Sequence, residues 1–539
     1  MISKEEYKRV LILGEHPMVI GLVHQYQAMG FVVERQNNLS ECRDLVTYDE
    51  LFLFSKQDTD AIEADYIAVE TLKHLAAGYD LAKHDNKRLL CHLLLRSQTM
   101  LWMIQTMDFP KEINHTFEVY PFTIEDQWAK NVLVKLPGLH THFDYPTLDR
   151  EPITKDSRKM VHLVISGFSD QAIAFAIHAA LVAHFPNYHA SDNQPIRTRI
   201  TFVDNDICPR RDEFVAKYQH LFENSYYRTV FPDKMDSKFH APEIKGCSDV
   251  EWEFVDASIF HPVVVEKLAA WANSPIQQLS IAITHESQRQ NISEAVGLPV
   301  AIYEQGTTVY LRVKDAQSVT LLRQSRRYRN IYPFGMEDCD YDVLQPLMRM
   351  AKLLNAYYCG LVKVEQGIDS ESMVDESWHN LPSYAKRFSN VYNVMSIPTK
   401  MRSLGHDEED WDTFYAITEQ EIQEIAEVEH NRWNVEELIL GFRPCTEDEK
   451  KEIAENISEY MKCQEEELLD KWKIKDNRGR PCTLKEIYKE DTMRRAHYDL
   501  RPYGDLQIDK TGQNVKRYDS DLSRCIPLLA NIFKKGGVQ

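Results

Sequence analysis

The chain has 539 residues, which is enough for three or four domains because single hydrophobic cores stop growing well before this length. Hydrophobic residues make up 43% of the sequence and charged residues 27%, a balance that excludes disordered and fibrous proteins. The formal charge of -20 repels a phosphate backbone over most of the surface, so we expect no general nucleic-acid binding and leave room only for a local basic pocket that takes a small anion.

The apolar runs are too short or too interrupted for a signal-peptide core or a membrane span. We therefore expect a cytoplasmic protein without direct membrane insertion. The ten cysteines contain no CxxC pair, a pattern typical of neither a disulfide framework nor a zinc ribbon, and we expect them to be reduced. The HTH motif at His140–His142 lacks an identifiable third ligand, so no metal is expected.

Two segments alternate short apolar runs with helical patterns, which predicts parallel sheets with crossover helices. The first segment is residues 1–150 and contains RVLILG; the second is residues 158–335 and restarts the pattern with VHLVISGFSDQAIAFAIHAA. Aligned on Gly14 and Gly167, both contain a strand, a turn, a helix and a strand that ends in an acid. This repetition indicates duplication of one fold.

The remainder of the chain favours helices. Residues 336–377 predict a helical connector and a linker, and residues 378–539 predict a mainly helical domain with an insertion rich in Glu and Lys at residues 446–494. Thr418 is predicted to be the N-cap of a long helix, with Glu421 three residues later at the spacing of a capping box.

The turn GFSDQA in the second segment is similar to the phosphate-binding turn of dinucleotide folds. Gly167 stands at the first glycine position, Ser169 at the second and Ala172 at the third, before a helix N-terminus that can bind phosphate. Asp204 ends the second strand, where an acid contacts the adenosine ribose. These residues predict an anion cradle, and the alternative is a purely structural turn.

The corresponding turn of the first segment, GEHPMVIG, is the weaker candidate. It keeps Gly14, but His16 and Pro17 lie inside the turn, and the proline removes one backbone donor. Glu34 has the spacing of a ribose-binding acid. Gly14 and Glu34 are therefore predicted cofactor-binding residues, with a structural scaffold as the alternative.

Together, HLVISGFSDQAIAFAIHAA and RTRITFVDND resemble the TrkA-N family, which consists of Rossmann-type nucleotide-binding modules that regulate potassium transporters. The resemblance spans residues 158–335 well and residues 8–150 more loosely. It implies two Rossmann-like parallel-sheet domains, the first one degenerate. It also implies binding of NAD or another adenine nucleotide.

Three blocks near the C-terminus resemble the ryanodine-receptor (RyR) domain, a small helical module that also occurs in bacteria: EHNRWNVEELILGFRP, HYDLRPYGDL and KRYDSDLSRCIPLLA. The resemblance rests on His430, Trp433, Leu438, Gly441, His497, Leu500, Pro502, Tyr503, Leu506, Tyr518 and Asp519. It implies a ligand-binding module. The chain differs from the family pattern by the insertion at residues 446–494. The expected fold is thus α/β plus α, with two Rossmann-like domains followed by a mainly helical RyR-like domain.

Aromatic and arginine side chains make this last domain the predicted ligand site. His430, Trp433 and Glu437 share one helix face, and the loop HYDLRPY is expected to fold across it. Aromatic rings there can stack on a base while arginines bind phosphate. The predicted ligand-binding residues are His430, Trp433, Arg443, Tyr498, Arg501 and Tyr503. The alternative is that the aromatic residues are core anchors and that His430 is an interior histidine.

These patterns favour a soluble sensor whose RyR-like domain recognises a nucleotide-derived small molecule. By analogy with such modules in bacteria, we expect it to act in signalling or phage defence. We expect a homo-oligomer. Two alternatives stay open, namely an NAD(P)-dependent oxidoreductase and a cytosolic regulatory subunit of an ion transporter. No phosphate-loop, nucleophile-elbow or HExxH motif occurs, so an enzyme is the less favoured interpretation and no catalytic residue is assigned.

Overall fold

The fold is that of a computed structural model of the chain. It describes residues 8–37, 45–55, 60–79, 81–84, 88–107, 109–135, 143–315, 317–336, 345–362, 371–381, 383–406, 417–455, 490–491, 494–506 and 514–535. The HTH motif at His140–His142 lies outside these ranges. No helix within them is both long enough and apolar enough to span a bilayer.

The first α/β unit is a five-stranded parallel sheet. Its strands are β1 (Arg9–Leu13), β2 (Val32–Gln36), β3 (Glu50–Phe54), β4 (Leu89–Leu95) and β5 (Phe117–Thr123). Its helices are α1 (Met18–Ala28), α2 (Ala61–Gly78), α3 (Gln98–Met107), α4 (Lys111–Thr116) and α5 (Ile124–Leu133). The strand order is β2-β1-β3-β4-β5. Strands β3 and β5 are buried along their whole length, as expected for strands of a parallel sheet covered on both faces, and this burial includes Glu50 and Glu118.

The second α/β unit is an eight-stranded sheet. Its strands are β6 (Met160–Ser166), β7 (Thr198–Asp204), β8 (Tyr226–Phe231), β9 (Asp236–His240), β10 (Val250–Asp256), β11 (Gln277–Ile283), β12 (Thr308–Arg312) and β13 (Ile331–Phe334). Its helices are α6 (Asp170–Val182), α7 (Ile207–Lys217), α8 (Gln219–Glu223), α9 (Pro262–Ala272), α10 (Gln288–Gly297), α11 (Val300–Glu304) and α12 (Gln317–Gln324). The order is β13-β12-β11-β6-β7-β10-β8-β9, with β9 antiparallel to β8 and the other pairs parallel. The prediction of parallel-sheet α/β units is confirmed.

The two sheets differ in how their strands are ordered. In the second unit, the strands β10-β7-β6-β11-β12-β13 follow the 3-2-1-4-5-6 order of Rossmann folds, and β8 and β9 extend one edge. In the first unit, β3 pairs with β1 on the side opposite β2, which is the 2-1-3-4-5 order of flavodoxin-like folds. The likeness between the units therefore ends after the second strand. Both orders place a switch point, where such folds bind ligands, at the carboxyl end of the first strand.

The C-terminal part is mainly helical in its described residues. Its helices are α13 (Gln345–Tyr358), α14 (Glu371–His379), α15 (Tyr384–Ser403), α16 (Glu419–Ile439), α17 (Lys516–Arg524) and α18 (Ile526–Lys535). A small sheet contains β14 (Arg443–Pro444), β15 (Glu490–Asp491) and β16 (Ala496–His497), in the order β14-β16-β15. Of the predicted insertion at residues 446–494, residues 456–489 and 492–493 lie outside the described ranges.

Helix α16 begins at the predicted capping box. The Thr418 hydroxyl accepts the backbone N–H of Glu421 at 3.3 Å, and the Glu421 carboxylate accepts the backbone N–H of Thr418 at 2.7 Å. Two of the unpaired donors at the helix start are thereby satisfied, and the prediction of a helix start at Thr418 is confirmed.

A buried ion cluster joins the two α/β units, where α5 packs along α6. Asp126 on α5 lies 2.6 Å from the Lys130 ammonium and contacts the His178 ring of α6. Burial would raise the pKa of Asp126, but the Lys130 ammonium and the contact with His178 outweigh it and hold the pKa well below its usual value. Helix α15 packs against both α3 and α6, so the helical part contacts both units.

Four charged side chains lie almost fully buried where α15 and α16 meet, and each is at most 3% exposed. Arg432 donates to both oxygens of Glu429, at 2.8 and 2.9 Å, and to Glu436 one turn further on. Lys400 of α15 donates to Glu429 as well. Burial alone would raise the pKa of Glu429, but Arg432 and Lys400 outweigh it and lower the pKa to about 2. The Lys400–Glu429 pair joins α15 to α16, and the pairs of Arg432 lie within α16.

Arg432→Met should lower the free energy of unfolding by about 3–5 kcal/mol, because it leaves Glu436 buried without its cation. Urea denaturation followed by tryptophan fluorescence measures this loss. Arg517→Met is the matched control, since Arg517 forms an exposed pair with Asp521 at the same i,i+4 spacing. The control should cost at most about 1 kcal/mol. Equal losses in the two variants would contradict the importance of the buried pairs.

Candidate functional site

The turn between β6 and α6 bends at Gly167, whose φ of +89° favours glycine. A Cβ atom at this position would lie 2.8 Å from Nδ1 of His285. The glycine is predicted to admit a phosphate, and the structure shows that it admits a histidine ring. A ligand phosphate would therefore share this turn with His285.

His285 belongs to a polar cluster at the carboxyl ends of β6 and β11. Its Nε2 lies 3.0 Å from Glu294 and 3.3 Å from the Ser166 hydroxyl, and Ser166 donates to Glu294 at 2.6 Å. Burial would raise the pKa of Glu294, but the hydrogen bonds from His285 and Ser166 outweigh it and lower the pKa. The Ser166 hydroxyl donates its hydrogen bond to the Glu294 carboxylate. A serine nucleophile instead donates to the histidine that activates it.

The other predicted cradle residues hold the turn together. Ser169 is the N-cap of α6, because its hydroxyl accepts the N–H of Ala172 at 3.3 Å and donates to the Thr284 carbonyl at 2.8 Å. Ala172 is fully buried. Asp204 accepts the N–H of Phe168 at 2.8 Å, so its carboxylate joins the end of β7 to the turn. Ser169, Ala172 and Asp204 are thus all engaged at this turn through bonds within the protein.

Two arginines supply positive charge beside this turn. Arg210 donates to the Phe168 carbonyl at 2.6 Å, and Arg312 donates to the Thr284 carbonyl at 3.4 Å with its guanidinium over the Trp128 ring. Neither arginine forms a salt bridge with any residue in the described ranges. An anion at this turn would therefore lie near the guanidinium donors of Arg210 and Arg312.

In the first unit, the turn residues pack against β3. Gly14 has a φ of +98°, and a Cβ atom there would lie 2.9 Å from the carbonyl oxygen of Phe54. The His16 ring stacks on the Phe54 ring at 5.7 Å. Burial, aided by the charge of Arg96, lowers the pKa of His16 to about 4, so this histidine is neutral near pH 7. Gly14 therefore serves the close packing of strands at this turn.

Glu34 on β2 is engaged by protein groups. It accepts hydrogen bonds from Tyr48 at 2.6 Å and Gln36 at 3.0 Å, and Arg9 lies 3.3 Å away. These hydrogen bonds, that of Tyr48 above all, lower the pKa of Glu34. A ribose hydroxyl at Glu34 would compete with these partners.

Gly167→Ala should destabilise the protein more than Gly30→Ala, because only the first substitution brings a methyl group against a neighbour. Both glycines have positive φ, but nothing lies within 4 Å of the Cβ position at Gly30. The backbone strain of about 1–2 kcal/mol is common to both, and the contact with His285 is additional. Thermal unfolding of both variants measures the difference. In a His285→Ala background, Gly167→Ala should lower the melting temperature no more than Gly30→Ala does. A larger decrease for Gly167→Ala in that background would contradict this account.

The second candidate site lies between α16 and residues 496–505. His430 is buried, and its two ring nitrogens contact the Arg501 carbonyl at 2.8 Å and the Asp519 carboxylate at 3.3 Å. Asn434, one turn later on α16, donates to the same carbonyl at 2.9 Å. Two side chains of α16 thus hold the loop by one backbone oxygen. His430 is the interior histidine that the alternative interpretation expects, and it still positions the residues around it.

Two partly exposed aromatic rings pack on this histidine. The Trp433 ring centroid lies 5.5 Å from that of His430, and the Tyr503 centroid lies 5.7 Å away on the loop. The Trp433 ring also meets His497 edge-on at 4.9 Å. The ammonium of Lys516, from α17, lies 4.6 Å from the centre of the Tyr503 ring. Three of the predicted ligand-binding residues, His430, Trp433 and Tyr503, are therefore brought together.

The two predicted arginines differ in their surroundings. The Arg501 guanidinium lies over the Tyr498 ring at 4.2 Å and donates from Nε and Nη2 to the carbonyl of Tyr498, while the backbone carbonyl of Arg501 contacts His430. Arg443 makes a bidentate pair with Glu449 at 2.7 and 2.8 Å. Since Glu449 neutralises Arg443, Arg501 is the better phosphate donor of the two.

This cluster adjoins the second α/β unit. A Cβ atom at Gly246 would lie 2.8 Å from the Ala190 side chain and 3.0 Å from the Pro502 ring, so the loop closely approaches this part of the unit. Burial raises the pKa of Glu427 on α16, and the charge of His189 from the second unit opposes that shift. The site therefore lies at a junction between the helical part and the second unit.

Sequence reasoning did not assign Asn434, Lys516 or Asp519 to this site. Asn434 stands at the i+4 position from His430, a spacing that could have indicated it. Asp519 and Lys516 belong to the third block, KRYDSDLSRCIPLLA, whose distance from α16 in the chain gives no signal of contact. Among the residues that the structure describes, no group of His, Cys, Asp and Glu is arranged to hold a metal ion.

His430→Gln should cost more stability at about pH 6 than at about pH 8.5. Burial lowers the pKa of His430, but the contacts with Asp519 outweigh it, so the pKa is raised. A raised pKa gives stability that is present below the unfolded pKa and is lost as pH rises through the folded pKa. Urea denaturation at both pH values tests this.

His162→Gln is the control of opposite sign. Burial lowers the pKa of His162 to about 3, so this histidine stays neutral in the folded protein and wild-type stability falls when the unfolded chain takes up its proton. His162→Gln should therefore lower the free energy of unfolding less at the lower of the two pH values than at the higher one. The same pH trend in both variants would contradict the pairing of His430 with Asp519.

Comparison with known proteins adds no family: no family model matches the chain, and no curated protein matches it.

Proposed function

We propose that the chain is a ligand sensor, in which a nucleotide-derived small molecule binds beside α16 at Trp433, Tyr503 and Arg501. The C-terminal part is then an RyR-like module, and the second α/β unit is a TrkA-N-like Rossmann domain that responds to its occupancy. The protein acts in the cytoplasm as a homo-oligomer.

One observation carries the proposal: two partly exposed aromatic rings pack on a histidine whose ring nitrogens are both occupied. Because His430 is held by Asp519 and by the Arg501 carbonyl, it keeps the Trp433 and Tyr503 rings in place. A stacking surface that is already fixed loses little conformational freedom on binding, which favours affinity. Core packing alone would favour full burial of both rings.

Positive charge beside the rings suits a phosphate group. Lys516 lies over Tyr503, and Nη1 of Arg501 makes no hydrogen bond with any described residue. Stacking of a base on an aromatic ring contributes about 1–3 kcal/mol, and an arginine adds charge-assisted hydrogen bonds to phosphate. A nucleotide presents both partners, a flat base and a phosphate, in one small molecule.

The position of the site suits a sensor. Helix α16 packs against α6 and α8 of the second unit, and the loop that carries Tyr503 touches that unit through Pro502 and Gly246. A ligand held between α16 and the loop would therefore alter contacts between the helical part and the second unit.

Arg501→Ala and Tyr503→Ala should each weaken nucleotide binding by about ten-fold or more, because each removes one class of contact. Isothermal titration calorimetry with AMP, NAD and a cyclic dinucleotide as probes measures the affinity. Mass spectrometry of molecules released from the heat-denatured pure protein identifies a ligand that co-purifies. Trp433→Ala should lower both binding and the melting temperature, because it removes packing as well as stacking.

Tyr66→Ala is the control, since Tyr66 is 60% exposed on the first unit, and it should bind the probes normally. The proposal is wrong if Arg501→Ala and Tyr503→Ala both bind as wild type. It is also wrong if Arg501→Ala lowers the melting temperature as much as Trp433→Ala does.

A second candidate function is NAD(P)-dependent oxidoreduction at the second unit. The 3-2-1-4-5-6 strand order and the glycine turn with Arg210 and Arg312 beside it favour this candidate. Loss of NAD binding in Asp204→Ala, with normal binding in Arg501→Ala, would assign the ligand to the second unit. A change in absorbance at 340 nm during incubation with NAD(P)H and candidate substrates would show redox activity.

A further inference from the structure

One segment of the second unit has a charge opposite to that of the whole chain. Residues 317–336 contain four arginines and no Asp or Glu, although the formal charge of the protein is -20. The four arginines fall within seven residues, in the sequence RQSRRYR. We call residues 323–329 the arginine segment.

The arginine segment lies on the surface at one edge of the sheet. It runs from the end of α12 through a short 3-10 turn (Arg326–Tyr328) to the edge strand β13. Arg326, Arg327 and Arg329 are exposed. None of the four arginines forms an ion pair with a residue of the described ranges. Their guanidinium donors are therefore available to an anion from outside.

Aromatic and apolar side chains lie among the arginines. The Arg323 guanidinium lies 5.0 Å from the centre of the Tyr332 ring, and that of Arg327 lies 5.4 Å from the centre of the Tyr328 ring. Leu321 on α12, two residues before Arg323, is 75% exposed. The surface thus offers flat and apolar groups together with cations, which a simple solvated charged face does not need.

The arrangement is spread along the chain rather than focused on one point. Arg323 faces β13, whereas Arg327 faces α11, where it lies 5.8 Å from the Tyr303 ring. A site for a single phosphate has donors that converge on one point. A site for a nucleic-acid backbone has donors spaced along the surface, so that each can bind a different phosphate. Arginine binds phosphate bidentately, and stacked aromatic rings bind unpaired bases of any sequence.

We propose that residues 317–332 form a binding site for a single-stranded nucleic acid, independent of the ligand site beside α16. The negative charge of the chain does not prevent this, because charges on the surface more than about 8 Å away are screened at physiological salt. Asp315, the acid that precedes the segment, is itself held by hydrogen bonds from Ser318 and Gln288. The site is local, in keeping with the absence of general nucleic-acid binding expected for so acidic a chain.

Fluorescence anisotropy with the full-length protein and a labelled RNA strand of about 20 nucleotides tests the proposal. If four phosphates are neutralised, log K should fall with log salt at a slope of about -2.8. The affinity should therefore fall about 50-fold between about 50 and about 200 mM salt. Arg326→Gln combined with Arg329→Gln should halve the slope and weaken binding at low salt.

Lys450→Gln combined with Lys451→Gln is the charge-matched control, because these lysines already pair with Glu447 and Asp448. The control should bind as wild type, and equal melting temperatures of the two double variants show that both are folded. The proposal is overturned if no strand binds at low salt, if the two double variants bind equally, or if duplex RNA binds as tightly as the single strand. Binding of polyglutamate without binding of RNA would assign the segment to an acidic protein partner instead.

Discussion

Buried charge on α16 is the constraint on which the C-terminal part depends. The Arg432 guanidinium, 1% exposed, has to keep its carboxylate partners, because a buried charge without one destabilises a fold by several kcal/mol. Glu429 and Glu436 flank it along the same helix, and Lys400 joins from α15. The two pairs of Arg432 lie within α16, whereas the contact of Lys400 with Glu429 crosses between the helices and constrains which face of α16 lies against α15.

The same orientation of α16 determines which residues meet the loop at residues 496–505. His430 and Asn434 follow Glu429 and Arg432 around the helix, and both donate to or contact the Arg501 carbonyl. Trp433 lies beside them and reaches His497 of the small sheet. The Lys400–Glu429 contact on one face of α16 therefore helps to position the aromatic residues on the next face.

Sequence patterns predicted much of the fold and less of the sites. Alternating apolar runs were sufficient for the two α/β units, and Thr418 with Glu421 was sufficient for the start of α16, because these signals are local. The strand orders could not be predicted. The sequence pattern of strands and helices is the same whether the third strand pairs with the first strand or with the second. The contact of Gly167 with His285 was missed for a similar reason, as the two residues come from different strands. Arg432 gives no signal of burial in the sequence, because the elements that pack on α16 come from distant parts of the chain.

The contact at Gly246 joins the loop at residues 496–505 to the second unit. Its φ of +89° and the side chains of Ala190 and Pro502 leave no room for a Cβ atom, so the loop and the second unit are in direct van der Waals contact. Close-packed contacts transmit displacement because they have no free volume to absorb it. Pro502 follows Arg501, whose carbonyl is held by α16, and precedes Tyr503. Any shift of the loop relative to α16 must therefore either move the second unit or break the contact at Gly246.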